Sequence, residues 1–141
     1  MNAAWRRAPY RISTDPAELD PAAIHAYLTR SYWARGVSRE VVERSLGHSL
    51  GFALLHESAG QVGFARVVTD RSTFAYLADV YVLEEHRGRG LGAWLIECVR
   101  AHAELQGLRR WMLVTEDAHG LYRRFGFAAL AHPERHMEAS R

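Results

Sequence analysis

A chain of 141 residues with a formal net charge of +2, 48% hydrophobic and 24% charged residues has the balance of one soluble globular domain, and not of a disordered chain. At that length about 70% of the unfolded surface can be buried without disulfide or metal staples, and no apolar run reaches the ~18–20 residues of a membrane span. The charge suits an anionic small ligand and is too small to argue for a nucleic-acid partner. The single cysteine, Cys98, cannot close an internal disulfide, and no secretory leader is legible near Arg6 and Arg7, so a cytoplasmic location is expected. The eight histidines show no zinc-ligand spacing. His132 and His136 are interrupted by Pro133 and lack a third ligand, so no metal is expected.

In chain order, Arg11 to Thr14 reads as a short first strand. Asp20-Pro21 reads as the cap and first residue of a helix running to about Ala34, with Ile24, Tyr27, Leu28 and Tyr32 at helical spacing. Gly36 closes it, and Ser38 caps a second helix carrying Val41, Val42 and Leu46. Leu50 to Glu57, Gln61 to Thr69 and Phe74 to Leu83 read as three strands of an antiparallel meander, because their connections are too short for parallel crossovers. A charged, glycine-rich loop, Glu84 to Gly92, leads into an amphipathic helix from Leu91 to about Gln106. Trp111 to Thr115 is an apolar strand. Asp117 caps a short helix, Ala118 to Phe125. Phe127 to Leu130 resumes strand, and His136 to Ala139 is a final edge strand. Residues 1–141 form one domain in this reading: an α/β sandwich on a mixed, mostly antiparallel sheet with helices on both faces.

The stretch Val80-Tyr81-Val82-Leu83-Glu84-Glu85-His86-Arg87-Gly88-Arg89-Gly90-Leu91-Gly92-Ala93 runs strand, tight loop, helix. Alternate glycines leave the backbone uncovered where a helix begins, so unpaired N–H groups and the positive end of the helix dipole meet there. Such a place binds anions, phosphate above all, and Arg87 and Arg89 add charge. The alternative is a turn that merely tightens the corner. No G-x-x-x-x-G-K-[ST] string is present. Gly88-x-Gly90-x-x-Ala93, with Glu116 about 20 residues on, matches a dinucleotide fingerprint. That fingerprint belongs in a parallel sheet with a second half, which the residues after Trp94 are too few to build.

Arg87-x-x-Gly90-x-Gly92 resembles the acyl-CoA signature [QR]-x-x-G-x-[GA] of the GNAT superfamily of N-acetyltransferases. Val80-Tyr81-Val82 looks like that family's pantetheine-binding strand. Ala118 through Tyr122 to Gly126-Phe127 resembles its A-x-x-x-Y…G-F element. The resemblance follows the chain from its first strand to its last. It implies a GNAT-like fold, acetyl-CoA as co-substrate and an amine acceptor, small molecule or peptide. It further implies that backbone amides from Arg87 through Gly88, Arg89, Gly90, Leu91, Gly92 and Ala93 cradle the CoA pyrophosphate. Val80 and Val82 would pair with pantetheine like an added strand, in a gap where this strand and the next splay apart. Tyr122 matches the tyrosine that protonates the departing thiolate. Thr115 stands where the family often has Asn, which alters contacts to CoA there.

Acyl transfer from a thioester to an amine needs a neutral amine, a stabilised oxyanion and a protonated leaving group. Cys98 lies on the apolar stripe of its helix, so direct transfer in a ternary complex is expected, with no acyl-cysteine. The Val82 N–H is the oxyanion donor in this reading, and Tyr122 is the general acid, a phenol being close enough to a thiol in acidity. Simple packing beside Phe125 is the alternative for Tyr122. Asp79 is the first candidate for a base acting through water, or for an anchor of a cationic amine; a purely structural aspartate is as good a reading. Alternation sets it opposite Val80 and Val82 unless a bulge intervenes. Tyr76, Glu84 and His119 are weaker candidates. Acceptor contacts are expected from Tyr32 and Trp33, whose aromatic faces suit ammonium or flat apolar groups, with helix packing as the alternative. A catalytically idle acyl-CoA-binding or sensing module is the alternative function. Nucleic acid and membrane are not expected as partners, and a homodimer is left open.

Overall fold

The computed structural model describes residues 2–141. Its strands are β1 (Ala4–Arg7), β2 (Tyr10–Ser13), β3 (Leu50–His56), β4 (Gly60–Thr69), β5 (Phe74–Val82) and β6 (Arg110–Leu113). They lie side by side in chain order in one six-stranded sheet. Every neighbouring pair is antiparallel except β5 and β6, which are parallel. The parallel step is forced by the helical crossover between them, since antiparallel neighbours need only a turn.

The helices are α1 (Pro21–Leu28), α2 (Arg39–Leu46), α3 (Leu91–Ala101) and α4 (His119–Arg123). Helix α3 buries Leu91, Trp94, Leu95, Ile96, Cys98 and Val99 against one face of the sheet, where Ile12, Phe52, Leu54, Val67 and Leu77 meet them. Helices α1 and α2 cover the other face through Ile24, Leu28 and Val42, packed on Phe64 and Tyr81. A sheet covered on both sides needs strands that are apolar throughout, which explains the unbroken burial of Leu50 to Leu55. Each aliphatic side chain fully buried in these layers contributes roughly 1.5–3 kcal/mol of transfer free energy before entropy is counted. None of the helices is long and apolar enough to cross a membrane.

The structure corrects several expectations. Tyr10–Ser13 is the second strand; Ala4–Arg7 pairs with it in a hairpin. Its charge-rich sequence, Ala-Trp-Arg-Arg, hides the strand because only Trp5 packs inward. Helix α1 stops at Leu28, not near Ala34. There the Ser31 hydroxyl donates to the Leu28 carbonyl and accepts from the Ala34 N–H, so a side chain competes with the helical ladder and the chain turns out of it. Helix α3 ends at Ala101, where His102 takes an extended conformation and its Nδ1 accepts from the Glu104 N–H to start a separate short turn. Helix α4 has Ala118 at its N-cap and no side-chain cap, so Asp117 does not cap it; the Thr115 hydroxyl accepts from the Ala118 N–H in the turn before the helix. Phe127–Leu130 and His136–Ala139 form no strand among the described residues.

Candidate active site

Pairing between β5 and β6 covers only Phe74↔Arg110 to Leu77↔Leu113. Beyond it β5 continues to Val82 paired with β4 on one side and with no strand on the other. The two parallel strands therefore splay. Within the open part, register slips from Arg66↔Ala78 to Phe64↔Tyr81, so β5 carries one extra residue at Asp79-Val80. Asp79 absorbs the bulge with φ +56°, a region that aspartate tolerates better than most residues. The bulge swaps faces. Ala75 and Leu77 pack with α3, yet two residues beyond the slip Tyr81 packs with α1, and Val80 and Val82 turn to the α3 side.

The bulge also sets the main-chain groups. The Leu83 N–H donates to the Val62 carbonyl at 2.8 Å, which makes Val82 and Gly63 a non-hydrogen-bonded pair. Val82's own N–H and carbonyl then face away from β4, into the gap. The carbonyl already accepts from Arg87 Nε at 2.9 Å. Its N–H is left as a donor aimed where the strands part.

The glycine-rich loop lies at the end of this gap. Gly88 and Gly90 have φ of +80° and +75°, and a Cβ placed on Gly88, Gly90 or Gly92 would meet nothing within 4 Å. Backbone is thus exposed on that side, and the αL conformations explain why glycine stands there. None of the hydrogen bonds of the described residues uses the N–H groups from Gly88 through Ala93, and α3 has no side-chain cap at Gly90. Arg87 departs from expectation. Its N–H is spent on the Glu84 carbonyl at 3.1 Å. Its guanidinium is folded back as a strut between the Val82 carbonyl and the Tyr27 hydroxyl, 3.1 Å away. Tyr27 in turn stacks flat on Tyr81, ring centroids 4.0 Å apart, with Arg30 over its other side. Arg89 is exposed.

Two adjoining cavities line the gap. One, of about 510 Å³, runs from the glycine loop along Val80, Tyr81 and Val82 to Ala118, Leu121 and Tyr122, and carries the cations Arg30 and Arg87. The other, of about 610 Å³, lies on the far side of Val80 among Tyr32, Trp33, Tyr76, Asp79, Thr115 and Glu138. Tyr32, Trp33, Val80, Asp117, Ala118 and Tyr122 belong to both. Tyr122 is 8% exposed, lies edge-on to Phe127, and its hydroxyl has no hydrogen-bond partner among the described residues. Burial, with lesser contributions from Tyr32 and Asp117, pushes its phenol up to about 12, so it carries its proton throughout the neutral range.

Asp79 does sit in the second cavity, but both of its oxygens are engaged. Arg66 Nε donates to one at 2.7 Å and the Trp33 indole N–H to the other at 2.9 Å. Arg66 also reaches the Ser49 hydroxyl at 3.0 Å. The Tyr32 hydroxyl accepts from the Glu116 N–H at 3.0 Å. Thus the segment after α1 is tied to β5 and to the chain beyond β6. Glu84 and His119 are not part of either cavity; His119 lies in a smaller one along the outer edge of β6 with Arg123 and Leu130. Cys98 is buried, its thiol pushed up to about 12 mainly by that burial, which removes it as a nucleophile. Among the described residues no group of His, Cys, Asp and Glu is arranged to hold a metal ion.

Sequence reasoning did not single out Arg66, Tyr27 or Glu138. Arg66 lies on β4 beside the register slip, where its guanidinium meets Asp79. Glu116, weighed only as a ribose-binding acid, proves to hold Tyr32 through its N–H.

The comparisons with known proteins agree with this architecture. The family described as "Acetyltransferase (GNAT) domain" matches residues 48–129. A candidate acetyltransferase of Gibberella zeae is 36% identical, over 84% of this chain and 78% of that protein. A candidate GNAT acetyltransferase from Xanthomonas campestris pv. campestris superposes with a TM-score of 0.89 at 47% identity, covering 93% of this chain and 92% of that one. A GNAT acetyltransferase of Elizabethkingia anophelis, solved with acetyl-CoA bound, shares the fold at a TM-score of 0.64 and 16% identity, over 86% of this chain and 78% of that one. The family match spans β3 to α4, the segment that builds the gap between β5 and β6, and the chain belongs to the GNAT family of acetyltransferases.

Proposed function

We propose that the protein transfers an acetyl group from acetyl-CoA to a primary amine by direct attack in a ternary complex. The observation that carries this reading is the continuity of one groove: free N–H groups from Gly88 to Ala93 at one end, and the unpartnered Tyr122 hydroxyl at the other. The pyrophosphate of CoA fits the backbone cradle, and Arg30 and Arg87 supply positive charge along it. Pantetheine would lie along the open edge of β5 at Val80 and Val82, beside Thr115 and Ala118 on the opposite wall. The Val82 N–H is placed to donate to the oxyanion that forms when the amine nitrogen attacks the thioester carbonyl. As the C–S bond breaks, the Tyr122 proton passes to the sulfur, and the nitrogen loses its own proton to solvent or to the phenolate. Tyr76 and Trp33 would contact the acceptor.

One observation favours a second reading, an acyl-CoA-binding module without turnover: the best-placed carboxylate, Asp79, is already held by Arg66 and Trp33. Tyr122→Phe separates the two. It removes a proton donor and almost no volume, so acetyl-CoA affinity by calorimetry should hold while thiol release with an amine acceptor falls by roughly 10²-fold or more. A wild-type protein that binds acetyl-CoA and acetylates nothing in an amine panel supports the binding module. Loss of acetyl-CoA binding would sink both.

A further inference from the structure

We propose that the acceptor is a small linear amine bearing a second positive charge, seated with that charge among Glu116, Asp117 and Glu138. The proposal rests on the transferase reading and names its substrate class. The chain as a whole is slightly basic, at +2. Yet the cavity beyond Val80 is lined by Asp79, Glu116, Asp117 and Glu138 against a single cation, Arg66. That cation is consumed by Asp79. The other three carboxylates make no ion pair among the described residues, whose ion pairs all lie elsewhere. The donor groove has the opposite sign, with Arg30 and Arg87 against Asp117 alone. Fields of opposite sign therefore meet at Tyr122, an anionic donor on one side and a cationic acceptor on the other.

Independent observations at the same place point to a ligand and to its shape. The Tyr122 side chain, 8% exposed, lines this cavity, and its hydroxyl has no hydrogen-bond partner among the described residues. Two of the aromatic walls are held in position: the Trp33 N–H by Asp79 and the Tyr32 hydroxyl by the Glu116 N–H, although both side chains stay 41–47% exposed. Fixed, half-open rings beside unpaired carboxylates favour an alkylammonium, through cation–π and charge attraction together. An acceptor carrying a carboxylate or phosphate would meet three like charges. A volume of about 610 Å³ suits a small molecule.

The test uses the full chain with acetyl-CoA and thiol detection on butane-1,4-diamine, spermidine, butylamine, 4-aminobutyric acid and a neutral lysine peptide. Calorimetry of the same compounds on the CoA complex runs alongside. The expected result is a kcat/KM for the diamine or spermidine roughly tenfold or more above butylamine, the equivalent of about 1.4 kcal/mol, with 4-aminobutyric acid poorest. Combining Glu116→Gln with Glu138→Gln should collapse the diamine-to-butylamine ratio towards one. Both side chains are exposed, so the melting temperature serves as the folding control. Equal or better use of butylamine, 4-aminobutyric acid or the peptide overturns the proposal and leaves the transferase standing. Diamine binding that depends on the two glutamates, without thiol release, upholds the cavity's ligand class and sinks the transferase. Absence of diamine binding overturns the proposal whatever the turnover.

Discussion

Gly63→Ala tests how tightly the bulged strand is held. Gly63 faces Val82 across the β4–β5 ladder, and a Cβ there would lie 2.8 Å from the Tyr81 carbonyl oxygen, 2.8 Å from Leu54 Cδ2 and 3.1 Å from Leu54 Cβ. Ordinary contact needs about 3.5 Å, so each neighbour must retreat by more than half an ångström. Neither can do so freely, because Leu54 is fully buried and the oxygen belongs to the backbone of β5. Gly63 has no positive φ, so the backbone itself accepts alanine and the cost is crowding alone. Overpacking of this kind costs roughly 1–3 kcal/mol, and the lower entropy of the unfolded alanine chain returns about 0.4–1 kcal/mol. A net loss of about 1–2 kcal/mol should lower the melting temperature by roughly 3–10 °C. Because the displaced backbone carries Val82, kcat/KM should fall with it. Gly120→Ala is the matched control: it lies in α4 with nothing within 4 Å of its Cβ and should stabilise by about 0.5 kcal/mol. Scanning calorimetry on the two variants decides the matter. A Gly63→Ala protein as stable as the parent would refute the claim that β4 and β5 are locked by this close approach.

Three further outcomes are expected. Gly90→Glu should abolish acetyl-CoA binding by calorimetry, since glutamate at φ +75° is strained and its charge enters the anion cradle. Asp79→Asn should mainly raise the KM for the amine if the carboxylate anchors a cation, lower kcat if it takes up a proton, and reduce only the melting temperature if its role is to hold Arg66 and Trp33; normal kinetics would remove it from the site. His102 is buried between Trp5 and Phe52 with its Nε2 unpaired, and burial holds its pKa below the ordinary value. The unfolded chain therefore takes up a proton that the folded one resists, and this contribution to stability is lost as pH falls below about 6.5, by at most about 1.4 kcal/mol per pH unit. Denaturant titrations from pH 7.5 to 5 should show a shallower acid loss in His102→Phe than in the parent, and equal slopes would count against the orphaned imidazole.

Much of the site was legible because its chemistry is local. The proposed anion cradle is one continuous segment, Gly88 to Ala93, and Tyr122 lies in a helix a fixed distance beyond it. The β3–β5 meander was equally readable from short connections and apolar runs. What escaped depends on distance in sequence. A single inserted residue at Asp79-Val80 decides which side chains enter the gap, and no pattern of two or 3.6 residues announces a bulge. The ion pair that occupies Asp79 joins strands thirteen positions apart, at Arg66. Helix α1 was read too long because Tyr32 continues the helical spacing of Ile24, Tyr27 and Leu28, whereas the Ser31 hydroxyl takes over the backbone bonds and the Tyr32 and Trp33 rings reach out to Glu116 and Asp79. The strands expected at Phe127–Leu130 and His136–Ala139 find no neighbour to pair with, since the sheet ends at β6.

A binding surface made of main-chain N–H groups has an uncommon relation to inheritance. Every residue but proline carries the same donor, so the exposed Arg89 can drift without erasing a main-chain contact, provided the two left-handed turns survive and Leu91 stays in the core. In a saturation library, Arg89 should tolerate nearly anything but proline, whereas Gly88 and Gly90, which contribute no side chain at all, should tolerate almost nothing. The proposed anion site therefore rests on the torsion angles of Gly88 and Gly90 more than on any side chain of the segment.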